Sequence, residues 1–185
     1  MKKVLFLASG SGSNVENIFR YFKQNNLNID CQIVSNRKNA GVFERASRLN
    51  IPISLFLKAE FEDGSFQNFV EKWQPDLIVL AGFLLMFPED IVHKFPNKII
   101  NVHPALLPKY GGKGMYGMHV HRAVLENKEP VTGITIHYVN EHYDEGEIIL
   151  QVQTDIASCT TAEEIAEKVH QLEYEHFPKV IHSLL

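Results

Sequence analysis

Between residues 4 and 102 the chain alternates continuous apolar runs with segments of helical period, a pattern that suits a wound α/β sheet better than any other layered fold. The runs at 4–8, 31–35, 53–57, 77–81 and 98–102 are rich in Val, Ile and Leu with little polar alternation. Strands read this way when helices cover both faces of a parallel sheet. Between them, 14–23, 41–49, 66–73 and 89–95 carry helical spacing, and Pro88 precedes the last of these at a position that suits a helix start. Right-handed crossovers follow by default. The expected architecture is a Rossmann-like open twisted α/β sheet, mostly parallel, with helices on both faces.

After Pro104 the pattern changes. Residues 108–118 hold four of the eleven glycines and no apolar period, and read as a long loop. A helix over 118–126 follows. Residues 133–139 and 147–152 then alternate as half-buried strands around 140–146, which predicts an antiparallel C-terminal pair. Thr161-Ala162-Glu163-Glu164 has the form of a capping box opening a last helix, along which Ile165, Val169, Leu172 and His176 recur at helical spacing. With 185 residues, no repeat and no linker, residues 1–185 read as a single domain that buries roughly 70% of its unfolded surface without a disulfide or metal.

Charge and composition narrow the function classes. Eighteen basic against 22 acidic side chains leave a formal charge of -4, which argues against the broad basic face that nucleic-acid binding requires. Cys31 and Cys159 lie far apart and match neither CxxC nor zinc-ligand spacing, which points to a reducing compartment and no metal site. The most apolar stretch, 77–87, is eleven residues including Gly82, short of the roughly 18 that span a bilayer. Met1-Lys2-Lys3 and the run after it resemble the start of a signal peptide, but the run is too short and leads into a Gly/Ser loop. A cytoplasmic protein is expected.

Three places could carry chemistry. Ser9-Gly10-Ser11-Gly12-Ser13-Asn14 joins a buried strand to a helix, where backbone N–H groups and the helix N-terminus can face an anion. It is not a dinucleotide fingerprint, since Val15 stands at the third glycine, nor a P-loop; the alternative is a tight turn with Asn14 as helix cap. Asn101-Val102-His103-Pro104 ends the fifth predicted strand, where open α/β sheets place their ligand crevices, and Asn101 and His103 share a face. An amide beside an imidazole can clamp an oxyanion and supply an acid; the alternative is a satisfied polar pair at a strand end. Asp144, in the turn Tyr143-Asp144-Glu145-Gly146, would favour imidazolium if it converged on His103, and is otherwise a turn residue bonding its own backbone. Lys109 and Lys113 in the long loop could attract phosphate or be merely solvated, and His93, His170 and His182 read as surface residues of helices.

Taken in order, Ser9 to Asn14, Val79-Leu80-Ala81-Gly82-Phe83, Asn101-Val102-His103-Pro104-Ala105-Leu106-Leu107-Pro108, Gly133-Ile134-Thr135-Ile136-His137 and Asp144-Glu145-Gly146 resemble the folate-dependent formyltransferases over nearly the whole chain. The Asn-x-His-Pro-x-Leu-Leu-Pro string is shared by that group, while Gly12-Ser13-Asn14 and the compact length resemble its glycinamide ribonucleotide branch. The resemblance implies formyl transfer from 10-formyltetrahydrofolate, as co-substrate, to the amine of glycinamide ribonucleotide in purine synthesis. It implies no metal and no nucleic-acid or membrane partner, in a monomer or homodimer. Asn101, His103 and Asp144 would be catalytic. Gly12, Ser13 and Asn14 would hold the ribonucleotide with its phosphate at the helix start, together with Glu173 on the last helix. Leu84, Leu85, Met86 and Phe87, with Asn140, Glu141 and Asp144 opposite, would receive the pterin, largely through backbone hydrogen bonds.

Three departures accompany the resemblance. Leu85 stands where many bacterial members have arginine, and no basic residue occurs between Ala59 and Glu71, where they carry another. The segment from Tyr110 to Met118 is longer than the usual bacterial Lys-Tyr-Pro-Gly turn. The implied reaction is direct acyl transfer with no covalent enzyme intermediate. Asn101 and the imidazolium of His103 would meet the oxyanion, while Asp144 raises the His103 pKa enough to keep that charge through neutral pH. Rival readings are a formyltetrahydrofolate deformylase or methionyl-tRNA formyltransferase, both expected to be larger. Others are an NADP-binding reductase using Gly10-Ser11-Gly12 with Ser35-Asn36-Arg37-Lys38, and a silent ligand-binding domain.

Overall fold

The computed structural model describes residues 1–185. Seven strands, β1 (Lys2–Leu7), β2 (Ile29–Ser35), β3 (Ile53–Leu55), β4 (Leu77–Leu80), β5 (Ile99–His103), β6 (Val131–Tyr138) and β7 (Ile148–Asp155), form one sheet. The helices are α1 (Ser13–Gln24), α2 (Val42–Leu49), α3 (Lys58–Glu62), α4 (Ser65–Trp73), α5 (Glu89–Lys94), α6 (Met118–Glu126) and α7 (Ala162–Ser183). The sheet order is β3-β2-β1-β4-β5-β6-β7, parallel from β3 to β5 and antiparallel across β5, β6 and β7. The chain leaves β1 toward one edge and returns through β4 toward the other, so the order reverses between β1 and β4. Crevices of open α/β sheets form at such a reversal, outside the carboxyl ends of the strands.

The continuous apolar runs have a direct cause. Val4, Phe6 and Ala8 pack into a core on one face of the sheet, while Leu5 and Leu7 pack into a second core on the other. Every residue from Val4 to Ala8 is therefore fully buried, and a polar alternation would place a side chain without a partner in either core. β7, at the sheet edge, keeps the alternation, with Gln151, Gln153 and Asp155 exposed.

Several bounds differ from expectation: β6 starts at Val131, two residues early, β7 runs to Asp155, three residues late, and the region after β3 differs most. The third strand stops at Leu55, two residues before the predicted end, and the five-residue α3 follows where no element was expected. Phe61 anchors α3 by packing on Phe66 at 4.3 Å between ring centroids and on Phe83 at 5.4 Å. The capping box that opens α7 is present: the Thr161 hydroxyl accepts from the Glu164 N–H, and the Glu164 carboxylate accepts from the Thr161 N–H.

Charge placement braces the loop after β1. Glu16 of α1 is buried and paired with Arg20, Arg45 and Arg48. Burial would raise its carboxyl, but the three guanidinium groups outweigh it and hold the group below the usual carboxylate range. Arg45 also donates through Nε to the Ser11 carbonyl at 2.8 Å, and the Val42 N–H donates to the Gly10 carbonyl at 3.1 Å. The β1–α1 loop is thus tied to α2 on two consecutive carbonyls.

Candidate active site

At the strand reversal the loops after β1, β4 and β5 enclose a cavity of about 560 Å³. Of the predicted site residues, Gly12, Ser13, Asn14, Leu84, Leu85, Met86, Phe87, Asn101, His103, Asn140, Asp144 and Glu173 line it. Glu141 does not: its carboxylate lies 2.7 Å from His93 Nε2 at the surface, so this predicted pterin contact has its side chain outside the cavity.

At the centre, β5 presents Asn101 and His103 on one face. Antiparallel register sets Asn101 opposite His137 of β6, with Asn101 Nδ2 3.2 Å from His137 Nε2. His137 Nδ1 lies 2.9 Å from the Tyr138 carbonyl, which can only accept. The proton is therefore on Nδ1, Nε2 accepts from the Asn101 amide, and the second amide hydrogen of Asn101 is left for the cavity.

His103 is 3% exposed, with Nε2 2.7 Å from the Tyr110 carbonyl and Nδ1 3.4 Å from Asp144 Oδ2. The Gly112 N–H donates to the same carboxylate oxygen at 2.9 Å, and Asp144 Oδ1 lies 3.6 Å from His137 Nε2. Tyr110 and Asp144 both hold left-handed backbone, each with φ of 58°, a conformation bulky side chains rarely adopt and Asp or Asn tolerate. At Tyr110 this turns the carbonyl toward His103. At Asp144 it places the carboxylate between two imidazoles. Gly146, two residues on, is required by close approach: a Cβ there would sit 1.7 Å from the Tyr138 carbonyl oxygen.

Both ring nitrogens of His103 face acceptors, an arrangement that suits imidazolium. Burial nevertheless dominates. It lowers the His103 pKa below the ordinary imidazole value, although the Asp144 charge and the Tyr110 carbonyl act in the opposite direction. The expectation that Asp144 lifts His103 into the neutral range is therefore corrected: the carboxylate opposes the shift without reversing it. For Asp144 itself, burial would raise the carboxyl, but the His103 charge and the Gly112 N–H act against it, and the group stays below the usual range. Since His103 Nε2 is engaged by Tyr110, a hydrogen bond from it to a substrate oxygen must be shared with, or taken from, that carbonyl.

One end of the cavity is built for an anion. Gly12 caps α1 with φ of 74° and no side-chain cap bond, so the first-turn N–H groups of Ser13 and Asn14 stay open. Asn14 is not the cap; its Nδ2 donates instead to Glu173 Oε2 at 2.7 Å. A side chain at position 12 would also meet Val42, with a Cβ only 2.5 Å from Val42 Cγ2. Beside this loop, Asn14 Oδ1 and His121 Nδ1 are buried without a hydrogen-bond partner. Burial pushes the His121 pKa down to about 4, with His170 and His103 adding to the effect, so the ring is neutral. Burial raises Glu173 despite Asn14 and His170. Unpaired polar atoms in such a wall are rare and call for a ligand carrying hydrogen-bond donors, such as hydroxyls. Lys113 lines the cavity, whereas Lys109 pairs with Glu129 at 2.9 Å.

The other end is a slot. Leu84 to Phe87 form one side, with Asn140, His142 and Tyr143 also lining it. The Leu84 N–H is committed to Ser9 Oγ at 2.9 Å, while the N–H groups of Leu85, Met86 and Phe87 make no hydrogen bond within the protein. A flat heterocycle with acceptors at its edge matches that set. No group of three or more His, Cys, Asp or Glu side chains is placed to hold a metal ion, and no helix is long and apolar enough to cross a membrane.

Sequence reasoning missed His121, which no motif marks, and assigned His137 no task although it stands in one of the resembling strings. Cross-strand register and helix packing bring them to the cavity, and neither is visible locally.

The formyl transferase family model matches residues 2–181. The chain is 38% identical over 190 residues to the chloroplastic phosphoribosylglycinamide formyltransferase of Arabidopsis thaliana, covering 99% of this chain and 65% of that protein. It is 35% identical over 192 residues to the phosphoribosylglycinamide formyltransferase of Bacillus subtilis, covering 100% of this chain and 95% of that one. The crystal structure of glycinamide ribonucleotide transformylase 1 from Geobacillus kaustophilus superposes with a TM-score of 0.89 at 30% identity, covering 100% of this chain and 99% of that one. The chain spans 65% and 61% of the length of the two plant relatives, from Arabidopsis thaliana and Vigna unguiculata.

Proposed function

Because the chain belongs to the formyl transferase family, we propose that it transfers the formyl group of 10-formyltetrahydrofolate to the primary amine of glycinamide ribonucleotide, as a step of purine synthesis. The products are formylglycinamide ribonucleotide and tetrahydrofolate. The observation that carries this reading is a single cavity joining an open helix N-terminus at Gly12, an amide–imidazole–carboxylate group at Asn101, His103 and Asp144, and a slot with free backbone donors at Leu85 to Phe87. Relatives named phosphoribosylglycinamide formyltransferase support the choice of substrates. Residues 1–185 act as one formyltransferase domain in this reading. The two free cysteines, Cys31 and Cys159, support a reducing compartment such as the cytoplasm.

The α1 N-terminus holds the ribonucleotide phosphate, and Asn14 Oδ1 with Glu173 takes the ribose hydroxyls. That places the amine toward His103. The Leu84–Phe87 wall holds the pterin so that the formyl carbon faces the same point. As the amine bonds to that carbon, the free amide hydrogen of Asn101 meets the developing oxyanion, and His103 adds positive charge beside it. Asp144 stabilises that imidazolium and directs water that carries the amine's proton away. The oxyanion then collapses, the bond to the folate nitrogen breaks, and this nitrogen takes up a proton. No side chain forms a covalent intermediate.

Titration distinguishes the reading from its rivals. A folate analogue and glycinamide ribonucleotide should each bind saturably, whereas tight NADPH binding with no folate binding would favour a reductase. Glu173→Ala should raise the ribonucleotide KM about tenfold or more, the scale of a lost hydrogen bond to a charged or polar buried group, with the folate KM little changed. Equal effects on both substrates would remove Glu173 from the ribonucleotide site.

A further inference from the structure

We propose that the Ser9 hydroxyl is a positioning group that sets the spacing between the two substrate halves of the cavity, and so the distance across which the formyl group is transferred. The inference rests on the formyl-transfer reading. Ser9 does not line the cavity and is 2% exposed. It sits two residues past β1, where the anion-binding loop begins, and it bonds in three directions. Its hydroxyl donates to Asn36 Oδ1 at 2.6 Å, and the same oxygen accepts from the Leu84 N–H at 2.9 Å. Its own N–H donates to the Gly82 carbonyl at 3.0 Å.

The direction of these bonds matters. An Asn36 carbonyl oxygen that accepts the hydroxyl proton fixes the rotor, which leaves a lone pair aimed at Leu84. Leu84 opens the folate wall, and Ser9 opens the ribonucleotide loop. Beyond Ser9 the loop is held from the other side, through the Gly10 and Ser11 carbonyls bonded to Val42 and Arg45. With that brace fixed, the Ser9–Leu84 bond ties the folate wall to the loop, since the N–H groups of Leu85, Met86 and Phe87 have no protein partner. Acyl transfer requires reacting atoms about 3–3.5 Å apart, and a displacement near 1 Å costs on the order of 10²-fold in rate. A bond joining the two walls acts on that distance without touching either substrate.

The test pairs Ser9→Ala with Asn36→Leu, a change outside the cavity that removes the acceptor for the hydroxyl. Both should lower kcat by about ten- to a hundredfold, with the separately measured affinities for glycinamide ribonucleotide and a folate analogue little changed. Asn36→Asp, which keeps an oxygen facing Ser9, should recover most of the loss. A purely structural role would instead lower the melting temperature and leave kcat of the folded protein intact. Amide hydrogen exchange at Leu84 gives a readout independent of turnover. It should accelerate in Ser9→Ala, and this decides the joint even if the unmodified protein fails to transfer formyl, a failure that would count against the functional reading alone. Unchanged Leu84 protection, or near-normal kcat in Ser9→Ala, overturns the proposal.

Discussion

Replacing Asn101 by alanine should lower turnover by about 10² to 10³, the usual cost of removing one oxyanion donor from a preorganised site. The amide is preorganised because one of its hydrogens is held by His137 Nε2 at 3.2 Å, which fixes the plane in which the other faces the cavity. Ground-state binding should change little. The anion end at Gly12 to Asn14 and the slot at Leu84 to Phe87 are built from other elements, so the ribonucleotide and folate affinities should stay near those of the unmodified protein. The check is a comparison of kcat with separately titrated dissociation constants. Near-full turnover in Asn101→Ala would take the amide out of the reaction and leave it as a partner of His137. Loss at Asn101 should also combine with loss at His103 less than additively, since both act on the same oxyanion.

Asp144→Asn should move the alkaline limb of the pH–rate profile to lower pH. Asparagine tolerates the left-handed backbone at this position as aspartate does, so the turn should keep its shape and the change is one of charge. In the resting protein burial already holds His103 below the ordinary imidazole value, and the Asp144 charge is the largest influence in the opposite direction. Removing that charge lowers the His103 pKa further. Above the limb, each unit of movement costs about tenfold in the fraction of imidazolium. The neutral-pH rate should therefore fall strongly in the variant. Acidification adds imidazolium but, since an α-amino group takes up its proton below about pH 8, removes the attacking amine in step, so the rate should stay low. For the unmodified protein the same physics places the kcat/KM limb on the acid side of the ordinary imidazole value, since kcat/KM reports groups of the free enzyme. An unchanged profile in Asp144→Asn would leave Asp144 as a turn residue.

Much of this fold is legible in the chain because the sheet is covered on both faces. Val4 to Ala8 and Leu77 to Leu80 are apolar without interruption since neither face meets water, and the edge strand β7 alternates since one face does. The short α3 shows no local signal because a single half-buried aromatic, Phe61, anchors it, and five residues show no period. At the site, Asn101 and His103 could be picked out because both sit at a strand's carboxyl end. Asp144 could not be joined to them without the antiparallel return of β6 and its turn. His137 and His121 depend on register and packing at long sequence separation. The direction of the His103 shift is not legible in the sequence for a related reason: its partners are visible there, whereas the depth of its burial is not.

In the proposed reaction one cavity brings a ribonucleotide amine to a folate-borne formyl group and passes that group across. The most direct test incubates the protein with 10-formyltetrahydrofolate and glycinamide ribonucleotide and follows both products. Tetrahydrofolate and formylglycinamide ribonucleotide should appear in equal amounts, and only when both substrates are present. Release of free formate at the same rate without the ribonucleotide, or no consumption of the folate with it, would rule out formyl transfer between the two substrates.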